Sequence, residues 1–299
     1  QGKTAGTPLC GIIKNTNIRS QDYQALPFRP SHADHTGSVR YQGANDPRGG
    51  GHFSGRLTAP LTLAGGIAKQ ILEKHSIVIG AHIYSIGKIK AEAGADKNLT
   101  AEQLLPVAVK EFPVISDELG NKMIDYIEEI RLKQDSVGGV ISCTAFGVPA
   151  GIGSPMFDGL ENKLASLLFG IPAVRGIEFG TGFAAAELLG SQHNDPYYQK
   201  DGKILTKTNH HGGILGGISS GMPLQLQVAI KPTPSIGQEQ ETVAPATGNN
   251  TTISIKGRHD PCIVPRAVPV VEACVALALL DAMLEGGNPN ALGGCPKGN

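Results

Sequence analysis

The stretch FRPSHADHTG, residues 28–37, sets Arg29, His32, Asp34 and His35 within a few positions of one another. Pro30 holds its start extended or turned. Two chemistries suit such a set. The H-x-D-H spacing offers imidazole and carboxylate donors for a metal ion. Alternatively, one histidine moves a proton beside an arginine that holds an anionic substrate. A solvated loop would carry the same residues.

A second polar cluster, Arg258, His259, Asp260 and Arg266, lies in IKGRHDPCIVPRAVP. Arginines grip phosphate and carboxylate, and the aspartate between them is either an ion-pair partner or a base tuned by its neighbours. KPTPSI, Lys231 to Ile236, has the lysine and hydroxyls of a phosphate corner, and TNHHGGILGGISSG, Thr208 to Gly221, has the donors and glycines of a ligand cradle. Neither is a Walker loop or a dinucleotide fingerprint. The chain holds 40 glycines, about twice the usual ~7% share, and they cluster beside arginine, histidine or serine. Such clusters let backbone amides approach an anion or a flat ligand closely.

Elements must position these clusters. Ala64, Ile67, Ala68, Ile71 and Leu72 repeat at helical spacing and end in Lys74 and His75, which suit a helix C-terminus. A second helix is expected after Ser116 with Met123, Ile127 and Ile130 on one face, and a third with Phe157, Leu160, Leu164, Leu167 and Leu168. A fourth, from about Pro269 to Leu284, is apolar nearly all round and so predicted to be buried on several sides. Leu224, Leu226, Val228 and Ile230 alternate as in a strand, as do Ile77 with Ile79 and Ile253 with Ile255. Helices and amphipathic strands together predict a layered α/β or α+β fold in one domain. Residues 234–252 read as a mobile loop and 286–299 as a flexible tail.

Composition narrows the partners. The 299 residues are 40% hydrophobic and 17% charged with zero formal net charge, which argues against general nucleic-acid or membrane-surface binding. No apolar run is read as a membrane span, and no signal peptide precedes the first motif. Cys10, Cys143, Cys262, Cys274 and Cys295 are scattered, without a C-x-x-C pair, so a reducing, cytoplasmic compartment is expected.

RPSHADHTG, RGGGHFSGRLTAP, GVPAGIG, AVRGIEFGTGF, TNHHGGILGGISSG, KPTPSI and GRHDPCIVPRAVPVVEA together resemble the chorismate synthase family, in order and spacing, from about Gly2 to Leu284. The resemblance implies elimination of phosphate and a proton from 5-enolpyruvylshikimate 3-phosphate to give chorismate, the last step of the shikimate pathway, with reduced FMN required. It implies catalytic roles for His32 and Asp260. It implies flavin contacts at His52, Phe53, Ser54, Pro172, Ala173, Gly216, Lys231, Pro232, Thr233, Pro234, Ser235 and Arg258, and substrate contacts at Arg29, Arg56 and Asn209. The implied fold is a layer of long helices between two antiparallel β-sheets, assembled as a homotetramer, with no metal. An added NADPH-dependent flavin reductase activity is left open; with no reductase signature visible, the monofunctional type is expected.

Some residues depart from the family pattern. The family's R-S-S-A-R-E-T is here H-F-S-G-R-L-T, keeping Arg56 and Thr58 but placing His52 and Phe53 first. His210 and His211 replace small or amide residues. The family's N-terminal G-E-S-H-G motif does not occur in the sequence, so a chain starting at Gln1 is expected to be inactive or severely impaired by itself. The rival readings are a metal-dependent hydrolase built on His32, Asp34 and His35, and a flavin-binding subunit that has lost catalysis.

Overall fold

The computed structural model describes residues 4, 6–14, 27–46, 48–92, 99–255 and 260–285. Arg258, His259 and the segment 286–299 lie outside the described residues. The chain enters through a short helix α1 (Asp34–Arg40) and two 3-10 turns into α2 (Thr58–Lys74). Strands β1 (Val78–Ile86) and β2 (Ile89–Lys90) follow, then α3 (Ala101–Leu104), α4 (Asp117–Leu132), β3 (Gly139–Phe146), α5 (Leu160–Phe169) and β4 (Val174–Phe179). Beyond the short α6 (Gly190–His193) come β5 (Tyr197–Lys200), β6 (Lys203–Thr206), β7 (Ile214–Leu215), β8 (Ile218–Ser219) and β9 (Leu224–Ile230). The last elements are β10 (Gln240–Val243), β11 (Asn250–Ile253) and α7 (Val264–Glu285).

One antiparallel sheet, in the order β2-β1-β3-β9-β4, organises the molecule. β9 buries Leu224, Leu226, Val228 and Ile230 in strict alternation, as its period of two requires. In β1 the alternate residues Ile79, Ala81 and Ile83 join the same core as α7, whereas Gly80 faces Leu104 of α3. Helices α2, α5 and α7 pack together, and α7 also lies against β1 and β3. The α2–α7 approach is close enough that a Cβ on Gly65 would stand 2.4 Å from Ala273 Cα. An ion pair stitches this layer to the sheet. Buried Glu272 accepts from Lys69 Nζ at 2.5 Å and from the Ala81 backbone N–H at 2.8 Å.

The fold is α+β with antiparallel sheets, as expected; the described residues form one five-stranded sheet and pair their other strands as β5–β6, β7–β8 and β10–β11. Some finer expectations are corrected. The segment 234–252 is not a featureless loop, because Gln240–Val243 pairs in register with Asn250–Ile253. Its polar residues hid the hairpin, since neither strand buries a continuous apolar face. Phe157 precedes α5 in a separate turn and is exposed rather than packed. The apolar helix starts at Val264, not Pro269, because Pro265 sits in its first turn, where a missing N–H costs little. At 22 residues it is long and apolar enough to cross a membrane. Its side chains are instead consumed by protein contacts, with Val271, Cys274, Val275, Ala276 and Leu279 inaccessible to solvent.

Candidate active site

Arg29, Pro30, Ser31 and His32 form a tight turn closed by His32 N–H to the Arg29 carbonyl at 3.2 Å. Pro30 supplies the second position, and Ser31 takes the third with φ +58°, a place where glycine is usual. Lys231 holds this strained residue: its Nζ donates to the Ser31 carbonyl at 2.6 Å and to Ser31 Oγ at 3.1 Å. The segment is also tied to β10, where Phe28 N–H donates to the Val243 carbonyl at 3.2 Å.

The turn brings Arg29 onto Asp34. Arg29 Nε donates to Oδ2 at 2.8 Å, a terminal guanidinium nitrogen to Oδ1 at 2.7 Å, and the Arg29 backbone N–H to Oδ2 at 3.0 Å. Burial alone would raise the Asp34 pKa; these bonds and His32 override it and hold the carboxyl well below the usual range. His32 Nδ1 lies 2.7 Å from Asp34 Oδ1. Arg29 Nη2 lies 3.1 Å from the same nitrogen; an arginine only donates and an ionised carboxylate only accepts, so the two contacts favour opposite tautomers. His32 Nε2 faces the 50–54 turn: a Cβ on Gly50 would stand 3.8 Å from it and 3.4 Å from Ser54 Cβ. Asp34 and Arg29 together thus fix the ring's orientation and aim Nε2.

Beyond that turn, Ser54 Oγ accepts the Arg56 backbone N–H at 3.3 Å and starts the path into α2. Phe53 has a structural neighbour, since a Cβ on Gly37 would meet its ring at 2.6 Å. His52 and Arg56 are exposed. Arg56 lines a groove of about 560 Å³ together with Thr58, Thr62, Gly66, Arg266 and Pro269, among others. Arg266 in turn contacts Asp260 Oδ2 at 2.9 Å.

The lysine corner closes the same region from the other side. Lys231 N–H donates to the Ala173 carbonyl at 2.9 Å, so Pro172–Ala173 and Lys231–Ser235 are neighbours. Ala173 has φ +76°. Burial, and then the charge of Arg175 at the β4 bulge, push the Lys231 pKa down. The Thr233 carbonyl accepts Ser136 Oγ at 2.6 Å, while Thr233 Oγ1 is buried without a partner. Next to Ser136, Val137 N–H donates to the Pro261 carbonyl at 2.8 Å, which places Asp260 beside this corner. His32, Lys231, Thr233 and Asp260 therefore belong to one continuous neighbourhood, with Arg29 and Arg56 at its edge.

Asn209 and Gly216 are placed elsewhere: next to Gly216, the Gly217 carbonyl accepts the Leu160 N–H at the start of α5 at 2.9 Å. Asn209 Nδ2 donates to the Pro223 carbonyl at 2.8 Å, at the entry to β9, whereas Lys231 follows its exit. Seven residues of strand separate the two ends by roughly 20 Å. Around Asn209 a second polar knot forms. Asp195 accepts from Thr208 Oγ1 at 2.5 Å, from the His210 and His211 backbone N–H groups at 2.9 and 3.0 Å, and from His211 Nδ1. His211 Nε2 lies 3.0 Å from Ser220 Oγ. Burial would raise the Asp195 pKa, but these bonds pull it well below the usual range. The knot pins the glycine-rich stretch between His210 and Gly221.

The metal reading finds no support. His35 turns away to stack edge-on against Phe28 at 5.3 Å, and no three His, Cys, Asp or Glu among the described residues converge as ligands. Burial pushes the Cys262 and Cys274 thiols up to about 11 and that of Cys143 higher still, so none is poised as a nucleophile. Sequence reasoning missed Ser31, Arg175 and Asp195. Ser31 left one trace, the Arg-Pro-Ser-His turn pattern; Asp195 left none.

An α+β protein with a histidine–aspartate–arginine cluster, a lysine-hydroxyl corner and further arginines at one groove carries the kinds of groups that bind anions. The family description "Chorismate synthase" matches residues 1–284, and the chain belongs to that family. It is 45% identical over 287 residues to the chorismate synthase of Thermococcus kodakarensis, covering 95% of this chain and 78% of the relative. It is 47% identical to that of Pyrococcus abyssi, with the same coverage. A crystal structure of chorismate synthase superposes with a TM-score of 0.70 at 30% identity, over 83% of this chain and 69% of that one.

Proposed function

We propose that this chain converts 5-enolpyruvylshikimate 3-phosphate to chorismate by 1,4-anti elimination of phosphate and a proton, with reduced FMN. The observation that carries the reading is the Lys231–Ser31 clamp, which joins the lysine corner to the turn bearing Arg29 and His32. The substrate has a phosphate and two carboxylates, and Arg29, Arg56 and Lys231 match that charge. The donor chemistry also fits a phosphate-bearing flat cofactor. Lys231, the unpartnered Thr233 hydroxyl and Ser235 supply donors beside Pro172–Ala173, and Pro232 and Pro234 stiffen the corner. Ser54 and Phe53 would line the cofactor's other side, with His52 at its rim. When bound, reduced FMN supplies a transient electron that lets the phosphate leave, and its ring assists removal of the proton. His32, oriented at Nδ1 by Asp34 and Arg29, controls a proton at Nε2. Asp260 serves as the carboxylate that takes part in proton removal.

Anaerobic mixing with the substrate and chemically reduced FMN, followed by chorismate absorbance and phosphate release, tests this. Turnover with reduced but not oxidised FMN is expected when the family's N-terminal G-E-S-H-G segment accompanies these residues; phosphate release without chorismate would overturn it.

The finer architecture belongs to the same reading. Residues 6–14 cross α2, where a Cβ on Gly11 would meet Leu63 at 2.4 Å. Leu9, Ile12, Ile13, Ile67 and Ile71 remain exposed there. Uncovered apolar side chains of this kind support a second sheet over the helix layer and burial between subunits of a homotetramer. We place the protein in the cytoplasm, away from nucleic acid and membranes, and dependent on an outside source of reduced flavin rather than NADPH.

A further inference from the structure

Arg266 occupies a place that helix electrostatics disfavour. It lies in the first turn of α7, a helix with no acidic residue in that turn, so its charge faces the positive end of the helix dipole. Its side chain is 77% exposed, and among the described residues its carboxylate contact is a single 2.9 Å approach to Asp260. The fork of an arginine can bind a carboxylate through two nitrogens, so this pairing leaves most of its donor capacity unused. Arg56 lines the same groove, and its guanidinium has no carboxylate partner among the described residues. Two guanidinium groups on one groove repel each other, and each is hydrated at a cost to any neutral occupant. An anionic group between them relieves both. The rest of the lining suits the remainder of a small polar molecule: Thr58 and Thr62 spend their hydroxyl protons on backbone carbonyls and keep acceptor capacity, while Pro269 and Val270 form an apolar wall. A groove of about 560 Å³ lies in the range that encloses small ligands.

We propose that Arg266 is a substrate-binding residue that changes partner. It and Arg56, which line one groove, hold one carboxylate or phosphate group of the substrate, and Arg266 then gives up its contact with Asp260. Substrate binding thereby unpairs the Asp260 carboxylate at the moment it is needed. This rests on the function proposed above.

Arg266→Gln and Arg266→Lys test it. The readouts are the calorimetric Kd for 5-enolpyruvylshikimate 3-phosphate, KM and kcat under reduced FMN, and a thermal melt to confirm folding, which so exposed a side chain should not disturb. For Arg266→Gln, Kd and KM are expected to rise roughly 10- to 100-fold, more than kcat falls, with Arg266→Lys recovering part of the loss. Unchanged Kd and KM would overturn the proposal. So would a fall confined to kcat, which would make Arg266 only a positioning residue for Asp260. If the wild-type protein binds the substrate without forming chorismate, the functional reading fails while the Kd comparison still decides Arg266. A wild-type protein that does not bind the substrate overturns both.

Discussion

Lys231 and Ser31 are 200 residues apart in sequence and joined by a 2.6 Å hydrogen bond from ammonium to backbone carbonyl. The bond ends on a residue in the left-handed region, so the lysine stabilises a turn that the local sequence disfavours. Lys231→Met should release that turn. We expect turnover to fall roughly 10- to 100-fold, by analogy with lost orienting contacts elsewhere, with a modest loss of stability of about 1–2 kcal/mol. Stopped-flow chorismate formation and urea denaturation check the two parts; wild-type turnover would remove Lys231 from the site.

Asp34 and Arg29 together hold the His32 ring at Nδ1. Asp34→Asn keeps the shape but removes the charge that anchors both partners. Turnover should fall roughly 10- to 100-fold, as for other lost orienting contacts, with the melting temperature changed by only a few degrees. Activity within a factor of two of wild type would show that the anchoring charge does not matter.

Acid should destabilise the fold through Asp34 and Asp195. Both are held below their unfolded value, so the unfolded chain binds protons first as pH falls. Their contribution is fully present above that unfolded value, about 4, and is lost progressively on further acidification. Asp195→Asn should flatten the acid limb of a melting-temperature profile between pH 5 and pH 2, values set by the reference carboxylate range. An unchanged limb would assign acid lability to other carboxylates.

The α2–α7 crossing is intolerant of any side chain at Gly65, since a Cβ would stand 2.4 Å from Ala273 Cα. A backbone atom in a packed helix pair cannot step aside as a flexible side chain can. Gly65→Ala should cost about 3 kcal/mol despite its better helix propensity, and Gly65→Val should prevent folding. Retention of the wild-type denaturation midpoint in Gly65→Ala would refute the close approach.

Local pattern was enough for much of this protein. The 3.6-residue period marked α2 and α4, the alternation of Leu224 to Ile230 marked β9, and the motifs around His32, Lys231 and Asp260 carried the family resemblance. These signals are short-range, so a linear reading captures them. The same reading missed the β10–β11 hairpin, whose polar strands pair through backbone groups that leave no apolar period. Nor does the sequence show where Asn209, implied as a substrate contact, sits relative to Lys231: its amide bonds the Pro223 carbonyl at the entry of β9, whereas Lys231 follows that strand's exit.

What the sequence determined alone was which chemical groups exist and which elements carry them. Only the tertiary structure decided which of them meet. Asp195 reaching His211, Arg266 sharing a groove with Arg56, and Lys231 holding Ser31 all depend on how the elements pack. Those contacts are long-range and are paired by the burial of the whole core, so no window of sequence contains them.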